Sequence, residues 1–291
     1  MILAAGLGTR LSPLTDELPK PLLPVGDRPL VAHLAARLHR AGFSSFTMNI
    51  HHLSKEFAGV VQWLEATAHV IHEPEIRGTA GGVAGARAFF GEAPILVWNG
   101  DVLVEPPIPG LFAAAGAGGL ALAVSPTPVG TGTVGLDADG CVVRLRGERF
   151  GRETSGGDYV GVAALGGAVL ARLPERGGLI GDVALPLLRE GEKIGTASVV
   201  GRWIDVGSVP SYHLANREWL EVHVGGGGSW VAPTARVAPG ARVVASIVGA
   251  GASITGDGAL ERCVVWPGAH AVAPLADAVV TRAGRVVVAS S

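Results

Sequence analysis

Through the first two thirds of the chain, short apolar runs alternate with helically spaced apolar stripes. Met1 to Ala5 is a run of the kind that makes a buried parallel strand. Leu30, Leu34 and Leu38 then fall at helical spacing, predicting a helix over Pro29 to Ala41 with Gly42 as its stop. Phe46 to Ile50 reads as a strand, Leu53 to Ala66 as a second helix and Ala68 to His72 as a further strand. A helix from the glycines at 78–82 to about Phe90 follows, and Pro94 to Asp101 is an apolar strand ending on a carboxylate. Gly119 to Tyr159 is more β-like, with Gly130, Gly132 and Gly140 as turns. Ser208 to Val222 is helical, with Ser208 placed to cap it. This alternation predicts an α/β domain built on a doubly wound, Rossmann-like sheet, whose ligands sit outside the carboxyl ends of its strands.

Beyond that helix the texture changes. Gly225 to Ser229 is a flexible linker by composition. Val231, Val237 and Val243 recur every six residues, followed by Val248, Ile254 and Leu260, the signature of a hexapeptide β-helix. Roughly three coils fit, close to the minimum for a stable stack. The expected division is therefore a catalytic-size domain over 1–224, a linker over 225–229 and a short left-handed parallel β-helix over 230–291. His270 is the β-helix's one histidine, which favours a structural or assembly role over acyl transfer. The period is lost after Leu260, and Trp266 with the Val-rich Arg285 to Ala289 reads as an end-cap or an oligomer contact.

Chemistry concentrates in the first loop. Gly6 and Gly8 follow the opening strand and let backbone N–H groups approach a phosphate. Arg10 supplies a planar fork of donors and Lys20 a compact cation. Pro13, Pro19, Pro21 and Pro24 forbid a regular helix and stiffen the excursion. A dinucleotide fingerprint needs a third glycine and a helix opening on the loop, and a Walker A loop needs Gly-Lys-Ser/Thr; neither is present. A rigid cationic cradle for a triphosphate is the better reading.

Composition narrows the field further. A formal net charge of −2 gives no electrostatic case for a nucleic-acid or membrane partner. No apolar run approaches about 18 residues, and the opening run is too short for a signal-peptide core, so a cytoplasmic protein is expected. Cys141 and Cys263 match no metal or redox spacing and read as small buried residues. His69 and His72 lack partners at ligand spacing and read as exposed or satisfied histidines.

Leu3-Ala-Ala-Gly-Leu-Gly-Thr-Arg-Leu-Ser-Pro-Leu-Thr15 and Pro19-Lys-Pro-Leu-Leu-Pro-Val25 together resemble the signature of the sugar-1-phosphate nucleotidyltransferases. The resemblance implies a nucleotide site formed by Leu3, Ala4, Ala5, Gly6, Gly8, Thr9, Arg10 and Lys20. It continues into Glu73-Pro-Glu-Ile-Arg-Gly-Thr-Ala-Gly-Gly82, similar to the family's second nucleotide loop, where Glu73 with Gly78, Thr79 and Ala80 reads the base. A carboxylate there accepts from two N–H groups of guanine or one of uracil, and guanine is favoured. Spacing alone makes Asp101 a turn-former; the resemblance makes it a Mg²⁺ ligand, with Asp205 in Arg202-Trp-Ile-Asp-Val-Gly-Ser208 as the second. Asn99, Tyr159, Gly161 and Asp182 are the implied sugar contacts, Asp182 the weaker candidate and readable as an N-cap only. The family's common Glu-Lys-Pro segment is replaced by Arg144-Leu-Arg-Gly-Glu-Arg-Phe150, where Arg144, Arg146 or Arg149 meets the sugar phosphate or is surface charge.

The reaction implied is attack of a sugar 1-phosphate on the α-phosphorus of a nucleoside triphosphate, with Arg10, Lys20 and Asp101 as the catalytic residues. GTP with mannose 1-phosphate is the leading pair and UTP with N-acetylmuramate 1-phosphate, or another hexose 1-phosphate, the alternative. A non-catalytic nucleotide-sugar-binding regulator is the rival class. A homo-oligomer through the β-helix is expected.

Overall fold

The fold is seen in a computed structural model that describes residues 1–64, 66–91 and 93–288. It divides into two compact units: Met1–Gly6, Leu34–Ser54 and Leu64–Trp203 form one, and Leu7–His33, Lys55–Trp63 and Ile204–Ser291 the other. The packing boundary is thus not the linker at 225–229. The cationic loop and the helix before the linker belong to the second unit.

The first unit is built on a ten-stranded sheet. Its strands are β1 (Ile2–Leu3), β2 (Ser45–Ile50), β3 (Thr67–His72), β4 (Ile95–Asn99), β5 (Leu120–Thr127), β6 (Val134–Leu136), β7 (Val142–Leu145), β8 (Glu148–Arg149), β9 (Ser155–Leu165) and β10 (Ile194–Ser198). The order runs β8-β7-β6-β9-β4-β1-β2-β3, with β5 also along β9 and β10 along β5. β1 pairs in parallel with both β2 and β4, and β2 with β3. The chain therefore winds outward from β1 to β3, then returns to β4 on β1's other side. That reversal makes a crevice beyond the ends of β1 and β4, where an open α/β sheet binds its ligands. β9 continues the sheet antiparallel to β4, so the sheet is mixed.

Where apolar spacing is clear the helices form as read: Leu30–Arg40 buries Leu30, Leu34 and Leu38. The stretch read as a helix over Leu53 to Ala66 forms instead two tight three-residue-per-turn segments, Ser54–Gly59 and Val61–Trp63. Gly59 interrupts it, and its buried Phe57 and Val60 are three apart, the repeat of the tighter helix. Glu65 of that expected helix lies outside the described residues. The helix after Gly78 stops at Gly85, with a short turn Arg87–Phe89 beyond it. His69 and His72 are exposed.

In the second unit the helix Val209–His223 carries a reciprocal cap: Ser208 Oγ accepts from the Ser211 N–H, and Ser211 Oγ from the Ser208 N–H. The Tyr212 hydroxyl donates to the Pro24 carbonyl and Asn216 Oδ1 accepts from the Gly26 N–H, which ties this helix to the cationic loop's far end. The C-terminal strands stack in parallel: Trp230 pairs with Ile247, and Ile247 with Val264, a step of 17 residues. The six-residue series thereby becomes columns: Val231, Val248, Val265 and Val280 in one, Val237, Ile254 and Ala271 in another, Val243, Leu260 and Leu275 in a third. Spacings of six, six and five give the step, the shortfall lying between Val243 and Val248. The stack ends where Ala278–Val280 pairs antiparallel with Val286–Val288. Ala289 of the expected end segment lies outside the described residues.

Both ring nitrogens of His270 meet hydroxyls, Ser253 at 2.9 Å and Thr255 at 3.3 Å. Cys263 is buried, and burial pushes its thiol up; Cys141 is only half-buried. Among the described residues no helix is long and apolar enough to cross a membrane.

Candidate active site

In the first unit the site begins where β1 ends. The Ala4 N–H donates to Asn49 Oδ1 at 3.0 Å, and Asn49 Nδ2 donates to Glu73 Oε1 at 2.8 Å. Glu73 Oε2 accepts from the Arg77 N–H at 3.3 Å, and the Glu73 N–H donates to the Ile50 carbonyl. With Glu73 and Asn49 both 3% exposed, this network fixes the ends of β1, β2 and β3 relative to one another. Glu73, expected to read the base, thus also braces its own loop. Asn49 was missed from the sequence; its signal was a buried polar residue inside an apolar strand.

The second loop is stitched to a distant turn. The Ala80 N–H donates to the Gly177 carbonyl at 2.9 Å and the Leu179 N–H to Thr79 Oγ1 at 2.6 Å. Gly78 lies against the Gly177 backbone. So the Thr79 hydroxyl and the Ala80 N–H, expected on the nucleotide, hold the 177–179 turn. Asp182 braces the same turn, accepting from the Gly178 N–H at 2.7 Å. It sits in a wide π-type turn, Ile180–Ala184, and is not the helix N-cap considered from the sequence.

β4 closes the crevice. The Gly100 N–H donates to the Leu3 carbonyl at 2.8 Å, which sets Asn99 beside Leu3 and Asp101 just past the strand end. Gly161 faces Asn99: at φ +75° it takes up a register shift in β9, and a Cβ there would stand 2.8 Å from Asn99 Nδ2. Gly161 and Asn99 are therefore close neighbours in the sheet. Tyr159, two residues along, lines a cavity of about 480 Å³ with Thr133, Arg144, Arg146 and Ile180, and burial pushes its phenol up. Of the arginines there, Arg144 is spent on structure: it donates to Glu153 at 2.9 and 3.1 Å and to the Thr131 and Gly132 carbonyls. In return Glu153 is held down to about 2 by Arg144 and the Gly130 N–H. Arg146 is exposed at the cavity wall, and Arg149 is exposed.

In the second unit the cationic loop is a series of short turns, Thr9–Leu11, Leu14–Asp16 and Lys20–Leu22. Gly8 opens the first at φ +66°, and Thr15 Oγ1 donates to its carbonyl at 3.0 Å. Arg10 is exposed, whereas Lys20 is 8% exposed. Both reach Asp205: Lys20 Nζ lies 3.7 Å from Oδ1 and Arg10 Nη2 4.0 Å from Oδ2. Two cations thus flank one half-exposed carboxylate, a set whose outward charge suits a polyphosphate. Among the described residues no group of three or more His, Cys, Asp or Glu side chains could hold a metal ion. A carboxylate such as that of Asp205 is the kind of hard oxygen donor that Mg²⁺ takes, one or two at a time.

The strand-end network lies in the first unit, and the pair of cations on Asp205 in the second. Residues 1–134 match the model of the family described as Nucleotidyl transferase. The chain carries a nucleotidyl transferase domain. Over 119 residues it is 40% identical to the N-acetylmuramate alpha-1-phosphate uridylyltransferase of Neisseria meningitidis serogroup B, covering 40% of this chain and 52% of that protein. The chain thus spans about half the length of that relative. The mannose-1-phosphate guanyltransferase of Pichia angusta is 28% identical over 275 residues, covering 82% of this chain and 73% of that protein. The crystal structure of HddC from Yersinia pseudotuberculosis complexed with GMP-PN has the same fold. Its TM-score is 0.62 at 21% identity, covering 75% of this chain and 97% of that one.

Proposed function

We propose that this nucleotidyl transferase domain moves a nucleoside monophosphate from GTP to mannose 1-phosphate, releasing pyrophosphate. The observation that carries the reading is the convergence of Arg10 and Lys20 on Asp205. An oxygen of the sugar phosphate attacks the α-phosphorus in line; the new P–O bond forms as the bond to the bridging oxygen breaks, and pyrophosphate leaves with the electron pair. The nucleophile is already anionic, so no general base is needed, and the protein's task is positioning and charge neutralisation. Arg10 holds the β/γ phosphates and the departing pyrophosphate. Lys20, largely removed from water, meets charge growing at the α-phosphate. Asp101 and Asp205 are each proposed as Mg²⁺ ligands; when bound, the ion neutralises phosphate oxygens. Arg146, the arginine not spent on structure at the Tyr159 cavity, is proposed to meet the sugar phosphate. A cytoplasmic location, a left-handed coil for the C-terminal stack and assembly of copies through it belong to the same proposal.

Guanylyl transfer is favoured because the relative whose match runs through 82% of this chain is a mannose-1-phosphate guanyltransferase. A second reading, UTP with N-acetylmuramate 1-phosphate, draws support from the 40% identity over 119 residues. Pyrophosphate release measured for GTP and UTP against both sugar phosphates separates them. GTP with mannose 1-phosphate should be fastest; no release from any pair would leave a nucleotide-sugar-binding regulator.

A further inference from the structure

We propose that the hairpin ending the C-terminal stack is a positioning element for the cationic loop, so that residues near 281–285 tune transfer at Arg10 and Lys20. This rests on the roles given to Arg10 and Lys20 above.

The hairpin turn is itself well defined, the Thr281 N–H donating to the Arg285 carbonyl and the Gly284 N–H to that of Thr281. Its contacts converge on a single five-residue stretch of the loop. The Thr281 hydroxyl, fully buried, donates to Glu17 Oε1 at 2.6 Å, and the Ala283 N–H donates to Glu17 Oε2 at 3.1 Å. Both oxygens of a carboxylate only 13% exposed are therefore held from a point 264 residues away. Arg285 Nη1 adds Asp16 Oδ2 at 2.8 Å and the Pro13 carbonyl at 3.4 Å.

From there the path to the cations is short. Thr15, within the same stretch, donates its hydroxyl to the carbonyl of Gly8, the residue that opens the turn bearing Arg10. Lys20 lies three residues beyond Glu17. The loop's turns are three residues each, and segments that short do not keep their shape unaided. Its own bonds fix each turn internally; the hairpin holds the middle one, Leu14–Asp16, through Pro13, Asp16 and Glu17. A reaction that depends on placement to within about 1 Å responds strongly to such a brace.

The test uses the full chain with Thr281→Val, Thr281→Ser and Arg285→Ala, read by steady-state kinetics and by amide hydrogen exchange. Thr281→Val should lower kcat about 10- to 100-fold with KM for the sugar phosphate within about 2-fold. Exchange should quicken over residues 8–20 and stay parental in β4. Thr281→Ser, which keeps the hydroxyl, should restore both. Arg285→Ala, at an exposed site that tolerates truncation, should lower kcat about 2- to 5-fold and carries the test if Thr281→Val does not fold. Parental kcat and loop exchange in both variants would overturn the proposal, as would exchange quickened equally in loop and sheet. Should the unaltered chain release no pyrophosphate, the transferase reading fails, and local exchange still decides whether the hairpin holds the loop.

Discussion

Gly6 and Gly8 stand two residues apart in the same loop, and the structure separates what each is for. At Gly8, φ of +66° costs an L-residue roughly 1–2 kcal/mol. A Cβ there would also stand 2.9 Å from Thr15 Cγ2 and 3.3 Å from Lys20 Cβ, adding about 1 kcal/mol of overpacking. Gly8→Ala should therefore cost roughly 2–3 kcal/mol, lower the Tm by several degrees and displace Lys20. At Gly6 a Cβ meets nothing within 4 Å, and the backbone is not left-handed. Gly6→Ala should leave stability within about 0.5 kcal/mol of the parent. On the proposed phosphate role its methyl would stand where a phosphate approaches the backbone, and should weaken triphosphate binding by about 1–3 kcal/mol, roughly tenfold to a hundredfold. Thermal unfolding and titration calorimetry with the nucleoside triphosphate measure the two effects on the same preparations. A Gly6→Ala protein that binds the triphosphate as tightly as the parent would refute the phosphate-cradle reasoning at that position.

Other expectations concern charge. Lys20→Met should lower kcat about 10²- to 10³-fold with little change in KM for the triphosphate, because its contact strengthens as charge develops; a pure KM effect in steady-state kinetics would make Lys20 a binding residue only. Asp205→Asn should raise the Mg²⁺ concentration for half-maximal rate at least about tenfold, checked by metal titration; an unchanged midpoint would remove Asp205 from the metal. Glu153, whose carboxyl Arg144 holds down to about 2, contributes stability that is present above the ordinary carboxyl pKa and lost as pH falls toward 2. Denaturant unfolding between pH 5 and about 2 should accordingly show a steeper loss for the parent than for Glu153→Gln, and equal slopes would contradict it.

What was legible in the sequence was local. β1 and β4 are carried by apolar runs and form within the stretches read for them, Ile2–Leu3 inside Met1 to Ala5 and Ile95–Asn99 short of Asp101. The six-residue apolar series of the C-terminal part was legible in the same way, but the 17-residue step at which its strands pair was not. Two other kinds of feature were not. Ser54–Trp63 carries helical-looking apolar residues, but Gly59 and a three-residue burial spacing favour a tighter turn. Long-range polar commitments were also invisible. Glu73 is met by Asn49 and the Ala80 N–H by Gly177, and no spacing within a motif reveals partners so distant in sequence. The same holds for the cationic loop, which the sequence groups with the strand before it and the fold groups with the far end of the chain.

The most direct measurement is phosphorus NMR of the purified chain with GTP, mannose 1-phosphate and Mg²⁺. Nucleotidyl transfer predicts that the γ- and β-phosphorus of GTP appear as inorganic pyrophosphate while an equal amount of a sugar-linked diphosphate diester accumulates. Formation of GDP and inorganic phosphate, or a spectrum unchanged with GTP and with UTP alike, would contradict it.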